Sequence, residues 1–217
     1  MIRIGNTLGL FGNAVAVLGN PIPTPPLPDA SGGIVTYDGD YRIHTFNSSG
    51  YFTLFKSIDA SVLILGQGGT GGLGYFPMIK SGGGGGASGI LRQFNMSLSP
   101  STYPVSFGPY PGGTVSFNGQ SATGGTNGTN GIYNNGGGGG SNADYSGYDG
   151  GLSHGGAGAG AGGNATGSLN KIGPGIHSSI SGSDIEYGVG GYGGLGSTGA
   201  NGQNGPSGIV IIRYKYK

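Results

Sequence analysis

The sequence predicts an all-β fold: an antiparallel, apolar β base with inserted polyglycine II-type helices packed as a bundle, and almost no α-helix. Three observations carry this expectation. Short segments of alternating apolar residues, separated by turn residues, run through 34–65 and 90–117. Glycine recurs at every third position over 190–208, at Gly190, Gly193, Gly196, Gly199, Gly202, Gly205 and Gly208, which is the turn of a left-handed polyproline II-type helix. The stretch 209–216 places Val210, Ile212, Tyr214 and Tyr216 on one face and needs a partner sheet far upstream. No segment combines helical periodicity with caps.

Taken in order, residues 1–20 are apolar but interrupted by Asn6, Gly9, Gly12 and Asn13. Ala14-Val15-Ala16 fits the A-x-A form of a signal-cleavage site, yet the interruptions favour an assembly or docking peptide, and the run is too short to cross a bilayer. Residues 21–31 contain PIPTPPLP and read as a stiff, extended linker. The glycine-rich domain occupies 32–217. In it, Asp38-Gly39 signals a hairpin between 34–37 and 41–46, and Asn47-Ser48-Ser49-Gly50 leads into 51–55. Segment 60–65 is apolar on both faces and fits a strand buried between two layers. A first glycine excursion spans 66–89 and includes five consecutive glycines at 82–86; strands return over 90–117 with prolines 100, 104, 109 and 111 at their turns. The second excursion, 119–208, holds the triplet run.

A polyproline II-type helix makes no internal hydrogen bonds, so its N–H and C=O groups must pair with neighbouring segments of the same kind. Glycine at every third place removes the side chains that would hold such neighbours apart. Ordering glycine costs more backbone entropy than ordering any other residue. The bundle therefore needs the apolar base, or other chains, as an anchor, and a homo-oligomer is expected.

Composition narrows the function. Of 217 residues, 56 are Gly and 12 Pro, with nine Lys and Arg against eight Asp and Glu. A net charge of +1 offers no basic field to nucleic acid or to anionic lipid, and no Arg-Gly-Gly boxes interrupt the glycine tracts. Zero cysteine removes disulfides and thiolate chemistry. Glu186 is the sole glutamate, so paired carboxylates for acid-base work are scarce.

Catalytic and ligand motifs are weak. Gly151-Leu152-Ser153-His154-Gly155, beside Asp149, has the form of a hydrolase elbow but not its strand-turn-helix setting. Residues 158–163 contain G-x-G-x-x-G without a following helix. His44, His154 and His177 lack metal-ligand spacing; Asp144 and Asp149 fit a solvated turn better than a calcium loop. No catalytic, cofactor or metal residue is assigned, and the protein is expected to be no enzyme. The aromatic residues that interrupt the glycine tracts are the better candidates. Tyr75, Phe76, Tyr133, Tyr145, Tyr148 and Tyr187, with Tyr192, offer contact area at low entropy cost. The longest glycine-poor break, 168–187, reads as an exposed variable loop carrying Lys171, His177, Asp184 and Glu186.

The opening hairpin GGIVTYDGDYRIHTFNSSGYFTL and the closing GPSGIVIIRY together resemble the glycine-rich domain of tail-fibre and other virion surface proteins of tailed bacteriophages. The resemblance covers roughly 32–217; residues 1–30 lie outside that pattern. It implies a β-sandwich base, a role on the virion surface, host-receptor contact by loops at the far end and a trimer by family analogy; the N-terminal residues 1–30 are expected to dock the protein to other virion proteins. Charge, composition and the weak ligand motifs lead us to expect no cofactor, no nucleic acid and no membrane insertion. Capsid decoration or a head fibre is the alternative within the virion. Ice binding is the alternative outside it, since a triplet-glycine bundle can present a regular face.

Overall fold

The computed structural model describes residues 29–76 and 80–217. The fold is all-β with antiparallel sheets and essentially no helix. The expected docking peptide and most of the proline-rich linker lie outside the described residues. The linker boundary at 31 is corrected: Ala30 and Ser31 are already β1 (Ala30–Ser31), because Ala30 is buried and pairs with Leu54.

Eleven further strands follow: β2 (Ile34–Asp38), β3 (Tyr41–Phe46), β4 (Gly50–Leu54), β5 (Ile58–Leu65), β6 (Leu91–Leu98), β7 (Ser101–Phe107), β8 (Val115–Phe117), β9 (Gln120–Ala122), β10 (Ile176–Ser178), β11 (Ile185–Tyr187) and β12 (Ile209–Lys215). One five-stranded sheet has the order β1-β4-β7-β8-β9 and the other β2-β3-β12-β5-β6. Period-two alternation sends Phe52, Leu54, Val105, Val115 and Phe117 from the first sheet against Phe46, Val62, Ile64, Val210 and Ile212 from the second, and this is the main core. The closing strand β12 sits in the middle of its sheet, pairing Val210 with Phe46 on one side and with Ile64 on the other. Gly39, at φ 55, turns the hairpin between β2 and β3.

His44 lies in this core, fully buried. Its Nδ1 is 2.7 Å from the Gly32 carbonyl and its Nε2 3.4 Å from the Tyr214 hydroxyl. A carbonyl only accepts, so Nδ1 carries the proton and Nε2 accepts from Tyr214. Burial, and then the neighbouring Arg42 charge, lower the His44 pKa from its ordinary 6.5, against the opposing effect of the Gly32 bond. The unfolded chain therefore takes up this proton more readily than the native one.

The glycine excursions lie on the sandwich as segments bonded main chain to main chain. Residues 81–90 are all buried, and segment 82–88 is the axis around which the others gather. Its N–H donors repeat with a period of three: Gly82, Gly85 and Ser88 bond to the carbonyls of Ser153, Gly156 and Ala159, Gly83 and Gly86 to those of Ala200 and Gln203, and Gly84 and Ala87 to those of Thr129 and Thr126, all at 2.8–3.1 Å. Its carbonyls repeat likewise. Gly82 and Gly85 accept from Gly137 and Gly140, Gly83 and Gly86 from Gly194 and Gly191, and Gly84 and Ala87 from Gly72 and Gly69. Three directions of donation and three of acceptance give the axis six neighbouring segments. A β-carbon built on Gly84 would stand 1.8 Å from the Gly138 carbonyl oxygen, and one on Gly85 2.1 Å from that of Gly191.

Where no neighbour covers a side of segment 66–74, asparagines take its place. Thr70 and Leu73 donate their N–H groups to Oδ1 of Asn127 and Asn130, and Gly71 and Gly74 to Oδ1 of Asn204 and Asn201, at 2.8–2.9 Å. The third set, Gly69 and Gly72, faces the axis. Threonine works similarly on the opposite side of segment 126–130: the Oγ1 atoms of Thr126 and Thr129 accept from the N–H groups of Ser141 and Gly138.

The triplet run 190–208 departs from a single continuous helix. A 3₁₀ turn at Gly196–Thr198, closed by Gly199 at φ 65, reverses it into two legs, and Gln203 N–H bonds back to the Tyr192 carbonyl at 2.8 Å. The spacing survives the reversal because a 3₁₀ turn also repeats every three residues. Gly190, Gly193 and Gly196 press on 153–158, while Gly202 and Gly205 press on 84–87; Gly208 meets Val115 beside the sandwich.

Replacing Gly84 with Ala is expected to destabilise the protein by about 1–3 kcal/mol, as overpacking does, whereas the exposed Leu195→Gln should stay within about 0.5 kcal/mol. Chemical denaturation of both variants checks this. Asn204→Leu, which strips the Gly71 N–H of its acceptor, should speed hydrogen exchange at Gly71, and Asn204→Asp should not. Stability should also fall as the pH drops below 6.5, and His44→Gln should flatten that slope in pH-dependent melting.

Candidate functional site

The register of the axis fixes which turns share an end. Segment 82–88 leads from Gly82 towards β6, and the other segments leave the sheets after Leu65, after Ala122 and before Ile209. At the Gly82 end lie Gly72, Thr129, Gly137, Ser153, Gly194 and Ala200. The turn residues that continue from these, 73–76 with 80–81, 130–136, 151–154 and 195–199, therefore gather at the end of the bundle remote from the sandwich. Six residue steps of the axis separate the Gly82 end from Ser88, next to the strands.

Main-chain and hydroxyl bonds hold the turns together. Tyr75 and Ser81 exchange backbone bonds at 2.8 and 3.1 Å, and the buried Ser81 donates from Oγ to the Ile132 carbonyl at 2.7 Å. Ile132 and Asn135 exchange bonds at 2.9 and 2.8 Å, and Gly151 N–H bonds to the His154 carbonyl at 3.0 Å. Asn134 at φ 55 and Ser153 at φ 69 close their turns in the left-handed region. The Phe76 ring lies against Gly199, tying the first turn to the last.

Between these bonds the turns present apolar side chains to solvent. Leu152 is 77% exposed, Phe76 63%, Tyr133 62% and Ile132 61%, and Leu73 and Leu195 stand beside them. Lys80 is the one charged side chain on these turns among the described residues, and its Nζ sits 4.6 Å above the Phe76 ring. Large apolar groups on these turns form an exposed surface rather than a cleft.

The residues chosen from sequence divide. Tyr75, Phe76 and Tyr133 are at this end. Tyr145 is half-buried in a turn with Asn142 at the other end of the bundle; Tyr148, Lys171 and Tyr192 are exposed along its flank. His177, 3.1 Å from Asp184, belongs to the β10–β11 hairpin on the outer face of the second sheet. Tyr187 is corrected as a contact residue: it is buried with Ile180, Ile43, Leu63 and Ile211, and its hydroxyl donates to Ser181. The reading of 168–187 as an exposed loop is corrected with it. Ile180 and Tyr187 fasten the hairpin to the sheet, where Arg213 bonds to the Ile180 carbonyl and pairs with Asp38 at 2.7 Å.

Leu73, Ile132, Leu152 and Leu195 are not among the sequence candidates, which are aromatic residues of the glycine tracts together with Lys171 and His177. The available signal was position, since each is a bulky residue at a break between glycine runs. The GLSHG stretch is one of the tight turns: Ser153 Oγ and His154 Nδ1 are 3.3 Å apart as chain neighbours, and no helix follows. Among the described residues no three His, Asp or Glu side chains gather as a metal site, and no helix is long and apolar enough to cross a membrane.

No protein-family model matches the chain, and no curated protein matches it either.

Proposed function

We propose that this is a non-enzymatic virion surface protein of a tailed bacteriophage, a tail-fibre or adhesin component. In this reading the glycine segments form a polyglycine II-type bundle that carries contact loops away from the particle. The observation that carries it is the gathering of four turns, with Leu73, Phe76, Ile132, Tyr133, Leu152 and Leu195 exposed, at the end of a rigid bundle remote from its base. Support also comes from the opening hairpin and the closing GPSGIVIIRY, which resemble the glycine-rich domains of such proteins.

Rigid backbone suits this task physically. Contact residues on turns tied together by main-chain and hydroxyl bonds lose little further entropy on binding. A nearly uncharged surface draws its affinity from apolar area and not from long-range steering. The partner is a host cell-surface receptor; the particle is met through residues 1–30, and the chain acts as a homo-oligomer.

Purified protein should bind a susceptible bacterial strain and compete with infection. Phe76→Ser or Tyr133→Ser should weaken binding about tenfold each, the loss usual for a central aromatic contact, while the flank variants Tyr148→Ser and Tyr192→Ser leave it unchanged. Wild-type protein that neither binds nor competes on any strain the phage infects rejects the adhesin role. Immunogold label on capsids instead of tails moves the protein to head decoration.

A further inference from the structure

The dipeptide Asn-Gly occurs six times, beginning at Asn118, Asn127, Asn130, Asn135, Asn201 and Asn204. It is the sequence at which an asparagine is most open to attack by its own backbone, because glycine leaves the following nitrogen uncrowded. That nitrogen loses its proton and bonds to the asparagine Cγ. The Cγ–Nδ2 bond breaks, and the amide nitrogen leaves as ammonia with a proton gained from solvent. Water then opens the resulting five-membered imide at either carbonyl, giving aspartate or isoaspartate. The reaction therefore needs a glycine N–H free to ionise and a side chain free to swing over it.

The fold treats the six copies unequally. In four of them both requirements are blocked. The N–H groups of Gly128, Gly131, Gly202 and Gly205 bond to the carbonyls of Thr70, Leu73, Gly72 and Gly69 at 2.8–2.9 Å. The Oδ1 atoms of Asn127, Asn130, Asn201 and Asn204 are held by segment 70–74. At Asn135 one requirement is blocked, since Gly136 N–H bonds to the Gly151 carbonyl at 3.0 Å. Asn118 and Gly119 form the exposed turn between β8 and β9, at φ 45 and 76. Among the described residues neither the Asn118 side chain nor the Gly119 N–H has a hydrogen-bond partner, and a β-carbon built on Gly119 meets nothing within 4 Å.

We infer that Asn118 is the site of spontaneous deamidation in this protein, and that the triplet packing shields Asn127, Asn130, Asn201 and Asn204 from the same reaction. The unequal shielding matters to the scaffold. An isoaspartate places one extra carbon in the main chain; in a hairpin turn this is absorbed, whereas in segments 126–130 or 200–205 it would break the three-residue register on which every bond to the axis depends.

The full-length protein is held at mildly alkaline pH, native in one sample and in concentrated guanidinium chloride in another, and the six sites are followed by peptide mapping with mass spectrometry. In the native sample Asn118 should convert first, Asn135 more slowly, and the four shielded sites at least about tenfold more slowly than Asn118, since two hydrogen bonds must open at each. In denaturant the six rates should converge. An Asn118→Ser variant should lose the leading product and most of the early ammonia release. Shielded sites that convert as fast as Asn118 in the native sample, or an Asn118 that stays intact while they change, would overturn the inference.

Discussion

A buried peptide group must be hydrogen-bonded, and in this protein that requirement builds half of the molecule. Segment 82–88 is enclosed like a hydrophobic core, yet glycine, alanine and serine are all that it contains. Nothing there can be stabilised by burying large apolar side chains, so close approach and main-chain bonding must hold it. The six surrounding segments follow from a bonding pattern that repeats every three residues, donating in three directions and accepting in three.

Glycine content therefore records how many sides of a segment are covered. The axis, covered on every side, tolerates only small residues at all three positions of its turn. The leg over 190–194 is covered on two: Gly190 and Gly193 face one neighbour, Gly191 and Gly194 another, and Tyr192 points to solvent. The leg over 200–205 needs glycine at one position in three, and asparagine fills another because its carboxamide imitates the carbonyl of an absent neighbour. The sandwich anchors all of this in the ordinary way, with aromatic and aliphatic side chains buried between two sheets.

The all-β class and the antiparallel strands were legible because strand alternation and Asp-Gly turns act locally. The pairing of β12 was foreshadowed by its apolar face, which has no use outside a sheet. What the sequence hid was hidden for definite reasons. A period of three is shared by the extended helix and the 3₁₀ turn, so the reversal at Gly196–Thr198 left no mark on the spacing. The asparagine ladder escaped because Asn-Gly reads as a turn, although four of the six copies lie in straight segments. Tyr187 looked like a loop aromatic until Ile180 was seen to share its pocket. The apolar end of the bundle depends on which turns coincide in space, and only the register of main-chain bonds reveals that.

The central place of β12 also bears on how the molecule assembles during synthesis. Both of its neighbours, β3 and β5, leave the ribosome early, but the strand that must lie between them comes only after more than a hundred intervening residues. Until then β3 and β5 lack the strand that pairs with both, and their inner edges carry unpaired N–H and C=O groups. Nascent chains should thus pass through a long-lived, adhesive intermediate, and folding should be slow because its decisive contact spans so much sequence. Pairing of those edges with a strand from a neighbouring nascent chain is the error such a topology invites.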